Sequence, residues 1–97
     1  MYTSDKNIIR LIDLLKYQKT IIYDKDFCQD VGMLEQTVSK IKKGKNHFTV
    51  LQIEAICKKY NVNANWIFGV ENKVFLNSEF VIKSTVNTVS MPTTQTN

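Results

Sequence analysis

Between Glu35 and Lys40 the chain reads EQTVSK, a run of side chains that suits the edges of nucleic-acid bases. A Gln amide gives and takes a hydrogen bond at once, which matches adenine in the major groove of B-form DNA. Lys donates to guanine, Glu accepts from cytosine, and Ser serves several bases. Glu35, Gln36, Ser39 and Lys40 are therefore candidate base contacts. Thr37 offers a hydroxyl to phosphate or a methyl to thymine. The run then turns basic, with Lys40, Lys42, Lys43 and Lys45 inside six residues. Lysines attract phosphate without regard to sequence, and each phosphate they neutralise steepens the salt dependence of binding. Thr37, Lys42, Lys43 and Lys45 are candidate backbone contacts. Lys25, at the start of the preceding helix, joins them, although Asp24 and Asp26 beside it repel phosphate. An ordinary solvated helix face uses the same residue types, so the reading depends on a scaffold that aims them.

The periodicity predicts that scaffold. Ile8, Leu11, Ile12 and Leu15 recur at three- and four-residue spacing, giving a first helix over Asp5–Lys16 with Ser4 as its N-cap. Ile21 and Ile22 form an apolar plug after it. A second helix spans Lys25–Val31, capped by Asp24, facing inward through Phe27, Cys28 and Val31, and ended by Gly32. The third helix follows almost at once, over Glu35–Lys43, with Val38 and Ile41 inward and Gly44 as its stop. Two short helices with so brief a link must cross steeply, as in a helix-turn-helix. Thr49 and Gln52 form a capping box for a fourth helix, with Phe48 stapled against Ile53. Leu51, Ile53, Ile56, Cys57 and Tyr60 supply its core side, and Asn61 ends it. Asn63 caps a fifth helix, Ala64–Phe68, whose Trp66 and Phe68 add to the core.

Composition narrows the partners. The 97 residues suit one small domain, and 43% apolar content with three Gly and one Pro favours a packed core. The net charge is +4, and the excess lies wholly in residues 1–69, which hold eleven Lys/Arg against seven Asp/Glu. A basic excess placed this way fits an anionic partner. Cys28 and Cys57 sit in apolar helical patterns and read as small core residues, with no disulfide expected. His47 stands alone, so no zinc site is expected, and no cofactor is called for. No signal peptide and no apolar run of membrane length is visible, which points to the cytoplasm and away from membranes. After Gly69 the helical periodicity stops. Residues 70–97 read as a C-terminal extension in which EFVIKSTV has strand character and SMPTTQTN is a frayed polar end.

In order and spacing, Phe27–Cys28, Gly32, Val38 and Ile41–Lys42–Lys43–Gly44–Lys45 resemble the helix-turn-helix of the Cro/CI, lambda-repressor-like DNA-binding domains. NVNANWIFGVENKVF is similar to a segment that follows the fourth helix in a bacterial subgroup of such regulators. The resemblance covers about Ile8 to Phe75. It implies an all-α, five-helix lambda-repressor-like domain over 1–69 with a short extension. Carried over position by position, it places Glu35, Gln36 and Lys40 at base contacts and Thr37, Lys43 and Lys45 at backbone contacts. Two positions depart from the pattern. Cys28 replaces the usual Ala, and Leu34 stands where Ser or Thr would cap the third helix, a loss generally of about 1 kcal/mol. Glu35 is the least usual readout residue, because it repels phosphate unless it meets a cytosine.

The function expected is a sequence-specific DNA-binding regulator, a repressor that binds double-stranded palindromic DNA as a homodimer. Residues 70–97 are the candidate dimer contact. The alternative is a protein-interaction module, or an antitoxin, that keeps the fold and takes a protein partner. An enzyme is not expected. Ser39, His47 and Asp30 form no recognisable nucleophile–base setting, and no phosphate-cradling glycine loop is present.

Overall fold

The computed structural model describes residues 1–76. Over these the chain is all-α, with five helices: α1 (Thr3–Tyr17), α2 (Asp24–Val31), α3 (Glu35–Lys42), α4 (Val50–Tyr60) and α5 (Ala64–Ile67). The expected order and number hold. The strand expected in residues 79–86 and most of the dimerisation segment lie outside the described residues.

The core forms where the helical stripes meet. Ile8, Leu11, Ile12 and Leu15 of α1 are buried together with Phe27, Cys28, Val31, Val38, Ile41, Ile53, Ile56, Val62 and Ile67. Fully burying one such large side chain contributes roughly 1.5–3 kcal/mol, so this cluster outweighs every surface interaction described below. Helix α2 packs on α4 through parallel rings of Phe27 and Tyr60, 6.0 Å apart. The Tyr60 hydroxyl donates to Asp30 at 2.5 Å, which ties the same two helices at their rim. Burial and the Asp30 carboxylate push the Tyr60 phenol well above its ordinary range.

Two polar side chains on α1 do what the apolar pattern did not announce. Asp5 is fully buried. Its carboxylate accepts the Phe48 amide at 3.0 Å and contacts His47 Nδ1 at 2.6 Å, fastening the α3–α4 link to the start of α1. Asn7 donates to the carbonyls of Trp66 and Ile67, at 2.9 and 3.1 Å, and so satisfies the C-terminal end of α5. Next to this contact the Gly69 backbone passes so close to Thr3 that a Cβ would lie 3.0 Å from its methyl.

Several local expectations change. Helix α1 begins at Thr3 rather than Asp5, so Ser4 lies inside it, buried, and makes no cap. Asp24 is the first residue of α2 and not its cap. The capping is done by Asp26, whose carboxylate accepts from the amides of Ile22 and Tyr23. Only Ile21 of the expected plug is buried, and Ile22 is exposed. Leu51 and Phe68 also face outward, since α4 and α5 present one side each to the core and these positions fall off it. The α4 start is as expected, with Thr49 and Gln52 bonded reciprocally at 2.9 and 3.1 Å. Asn61 ends α4 in the left-handed region at φ 57°, and Asn63 caps α5 by accepting from the Asn65 amide.

Beyond Gly69 the chain turns back. Asn63 N donates to Val74 O at 2.7 Å and Leu76 N to Asn61 O at 2.9 Å, flanking an antiparallel bridge between Val62 and Phe75. The first residues of the extension therefore belong to the packed helical unit.

Replacing Asp5 with Ala leaves the Phe48 amide and the His47 ring without their acceptor. Urea unfolding should show a loss of about 2–4 kcal/mol, and a loss below about 0.5 kcal/mol would contradict the clamp.

Candidate nucleic-acid interface

Helices α2 and α3 are joined by three residues, Gly32, Met33 and Leu34. Gly32 takes φ 72°, a conformation that costs a non-glycine residue roughly 1–2 kcal/mol. This turn lets α3 start without a loop. Leu34 occupies the N-cap with extended backbone and no capping side chain. Its own side chain is exposed. Glu35 then sits in the first turn, where a carboxylate offsets the helix dipole by roughly 0.3–1 kcal/mol. That is a structural role for Glu35 that requires no DNA.

Val38 and Ile41 anchor α3 to the core at 1% and 0% exposure. The remaining face turns out. Glu35, Gln36, Ser39 and Lys40 are all exposed, and Thr37 is half-buried. Positions 36, 39 and 40 lie three and four residues apart, so their side chains share one strip. An open groove of ≈ 710 Å³ runs between this strip and α2, lined by Lys25, Gln29, Glu35, Gln36, Ser39 and Lys42 among others. The groove brings Gln29 to the face beside the expected residues. Its sequence signal was only an outward position on α2.

The basic end of α3 is rigid in backbone. Gly44 N donates to Ile41 O and Lys45 N to Lys40 O, both at 2.9 Å, with Gly44 at φ 76°. This is a Schellman ending, and it fixes where Lys43 and Lys45 leave the helix. Both side chains are exposed and carry no ion pair among the described residues.

Lys42 is placed differently from its neighbours. Its ammonium lies 2.9 Å from Asp24, and Lys16 of α1 lies 2.5 Å from the same carboxylate. Hydrogen bonds from Lys16 and then Lys42 hold the Asp24 carboxyl below its ordinary range. The three charges sum to +1, so the acid expected to repel phosphate at the start of α2 is neutralised, at the cost of engaging Lys42. Asp26 is likewise committed, and its carboxyl is lowered by the backbone amides of Tyr23 and Ile22. Those amides are consequently not open to a phosphate. Lys25 stays exposed, 5.6 Å from the centre of the Tyr23 ring.

Cys28 and Cys57 are free thiols, buried and half-buried. Burial pushes both above the usual thiol range, which suits packing and not nucleophilic work. Among the described residues no group of His, Cys, Asp and Glu could hold a metal ion, and no helix is long and apolar enough to cross a membrane.

A depressed carboxyl stabilises the fold above its unfolded value and loses that contribution as pH falls through the folded one. Asp24 is such a group. Below about pH 4, unfolding free energy should therefore fall more steeply for the wild-type chain than for Asp24→Asn. Equal slopes in urea titrations across that range would show that the Lys16–Asp24–Lys42 cluster does not contribute.

Comparison with protein-family models, with curated proteins and with solved structures returned no match to this chain.

Proposed function

We propose that this protein is a sequence-specific DNA-binding transcriptional regulator, a repressor, built on a lambda-repressor-like arrangement of its five helices. One observation carries the reading. Helix α3 is anchored by Val38 and Ile41 while Glu35, Gln36, Ser39 and Lys40 remain exposed on one face, with Lys43 and Lys45 held at its end. A helix of this kind enters the major groove and offers its early side chains to base edges, and the lysines beyond it rest on phosphate. Gln36 and Lys40 are the readout residues, with Ser39 and Gln29 beside them. Glu35 reads a cytosine or serves only the helix dipole. Lys25, Lys43 and Lys45 supply the backbone contacts, and Thr37 adds a hydroxyl at the groove edge. Lys42 contributes as part of its cluster with Asp24 and Lys16.

One such domain reads few base pairs. A homodimer on a palindromic site, with half-sites roughly 34 Å apart or a multiple of that, supplies the missing specificity.

A second reading has its own support. Between α4 and α5 lies an apolar slot of ≈ 340 Å³ lined by Val50, Ile53, Cys57, Ala64 and Phe68. Leu51 and Val70 are exposed as well. An apolar surface of this kind suits a protein partner, as an interaction module or an antitoxin would need.

Substitution separates the two halves of the interface. Gln36→Ala and Lys40→Ala should each relax preference at one or two base positions, costing about 1–3 kcal/mol on the preferred site. Lys43→Ala and Lys45→Ala should weaken binding to all duplexes alike and reduce the salt slope by about 1 each. Fluorescence anisotropy on selected and scrambled duplexes measures both. A wild-type chain with no salt-sensitive binding, but with a stoichiometric protein in pull-down, would favour the second reading.

A further inference from the structure

The contact between His47 and Asp5 lies two residues past Lys45, at the edge of the proposed phosphate-binding end of α3. The Asp5 carboxylate is fully buried and uses one oxygen on the Phe48 amide and the other on His47 Nδ1. Tyr2 stacks flat on the imidazole, with ring centres 3.7 Å apart and planes 7° from parallel. The ring is thus held by one nitrogen and one face. Its side chain is still 43% exposed. The open surface belongs to the other face and to the far edge, which carries Nε2.

A histidine needed only as a plug would not be both oriented by a buried acid and left open to water. We infer that His47 is a phosphate contact that engages with a proton, an inference that rests on the DNA-binding reading above. With Nδ1–H donated to Asp5, the neutral ring presents a lone pair at Nε2, which a phosphate oxygen repels. When Nε2 takes a proton from solvent the ring becomes a cationic donor, and Asp5 remains ionised. The phosphate then accepts Nε2–H beside Lys43 and Lys45. Asp5 acts as the positioning residue and Tyr2 as the second support. The titratable groups set against the ring are Asp5 and Tyr2 from the N-terminal end, with Lys43 and Lys45 on its own segment.

The composition makes the experiment clean. His47 is the chain's only histidine, and burial raises both thiols. Side-chain titration between about pH 6 and about pH 8 therefore isolates this ring. The probe is a labelled mixed-sequence duplex of about 30 base pairs, because phosphate contacts carry no sequence choice. Anisotropy is recorded against pH and salt for the full chain, for His47→Gln and for His47→Asn, each of which keeps an amide donor for Asp5. Circular dichroism checks that they fold.

Wild-type affinity should rise about five- to tenfold from about pH 8 to about pH 6, with the salt slope growing by about 0.9. Both variants should be flat, near the wild-type value at the higher pH. Duplex binding with no pH dependence, or with the same dependence in the variants, overturns the role of His47 and leaves the DNA-binding reading standing. Absence of duplex binding at every pH, even at low salt, overturns both.

Discussion

A buried carboxylate ties the beginning of this chain to its middle. Asp5 sits in the first turn of α1, hidden from solvent, and both of its oxygens are used on the link between α3 and α4. Burying an ion is costly unless its lone pairs are satisfied, so this link has little freedom once α1 is packed. The consequence runs in both directions along the chain. Upstream, the Schellman ending of α3 is held at a fixed distance from α1, and with it the backbone of Lys43 and Lys45. Downstream, Phe48 is seated in the core just ahead of the Thr49–Gln52 capping box. Hydrophobic burial supplies most of the stability, but it is non-directional. Asp5 supplies direction.

The electrostatics of the exposed face are organised in a similar way. Seven acidic residues among the first 69 would blunt attraction to an anion if they stood free. Three of them on α2 are engaged: Asp24 by two lysines, Asp26 by two backbone amides and Asp30 by the Tyr60 hydroxyl. Exposed pairs of this kind add about 0–1 kcal/mol to stability. Their larger effect is on the field, because they leave Lys25, Lys40, Lys43 and Lys45 as the prominent charges around the groove. Glu35 is the exception. It faces the same groove without a cation partner among the described residues, and its dipole role at an uncapped helix start is reason enough for its presence.

Much of the fold was legible in the sequence because its cues were strong and local. The α1 stripe, the glycine stops at 32 and 44, and the Thr49–Gln52 box each rest on spacing within a few residues. What escaped depended on partners far along the chain. Asp5 and Asn7 look like ordinary polar positions on an amphipathic helix, and their roles appear only when residues about 40 and 60 positions away arrive beside them. Lys42 looked like its neighbours, yet it points at Asp24, which lies 18 residues earlier. Leu51 and Phe68 were assigned to the core by hydropathy. Hydropathy alone does not say which apolar residues of a short helix lose the competition for its single buried face. The outward set on α3 was legible because two buried anchors, Val38 and Ile41, fix the rotation of so short a helix.

The central claim is that the α3 face chooses a DNA sequence. The most direct measurement is selection of bound duplexes from a random pool by the full chain, with sequencing after successive rounds. The account predicts enrichment of a short motif present as two inverted copies spaced by about one helical turn or a multiple of it. A pool that stays unenriched, or that enriches only by general affinity with no preferred bases, would contradict it.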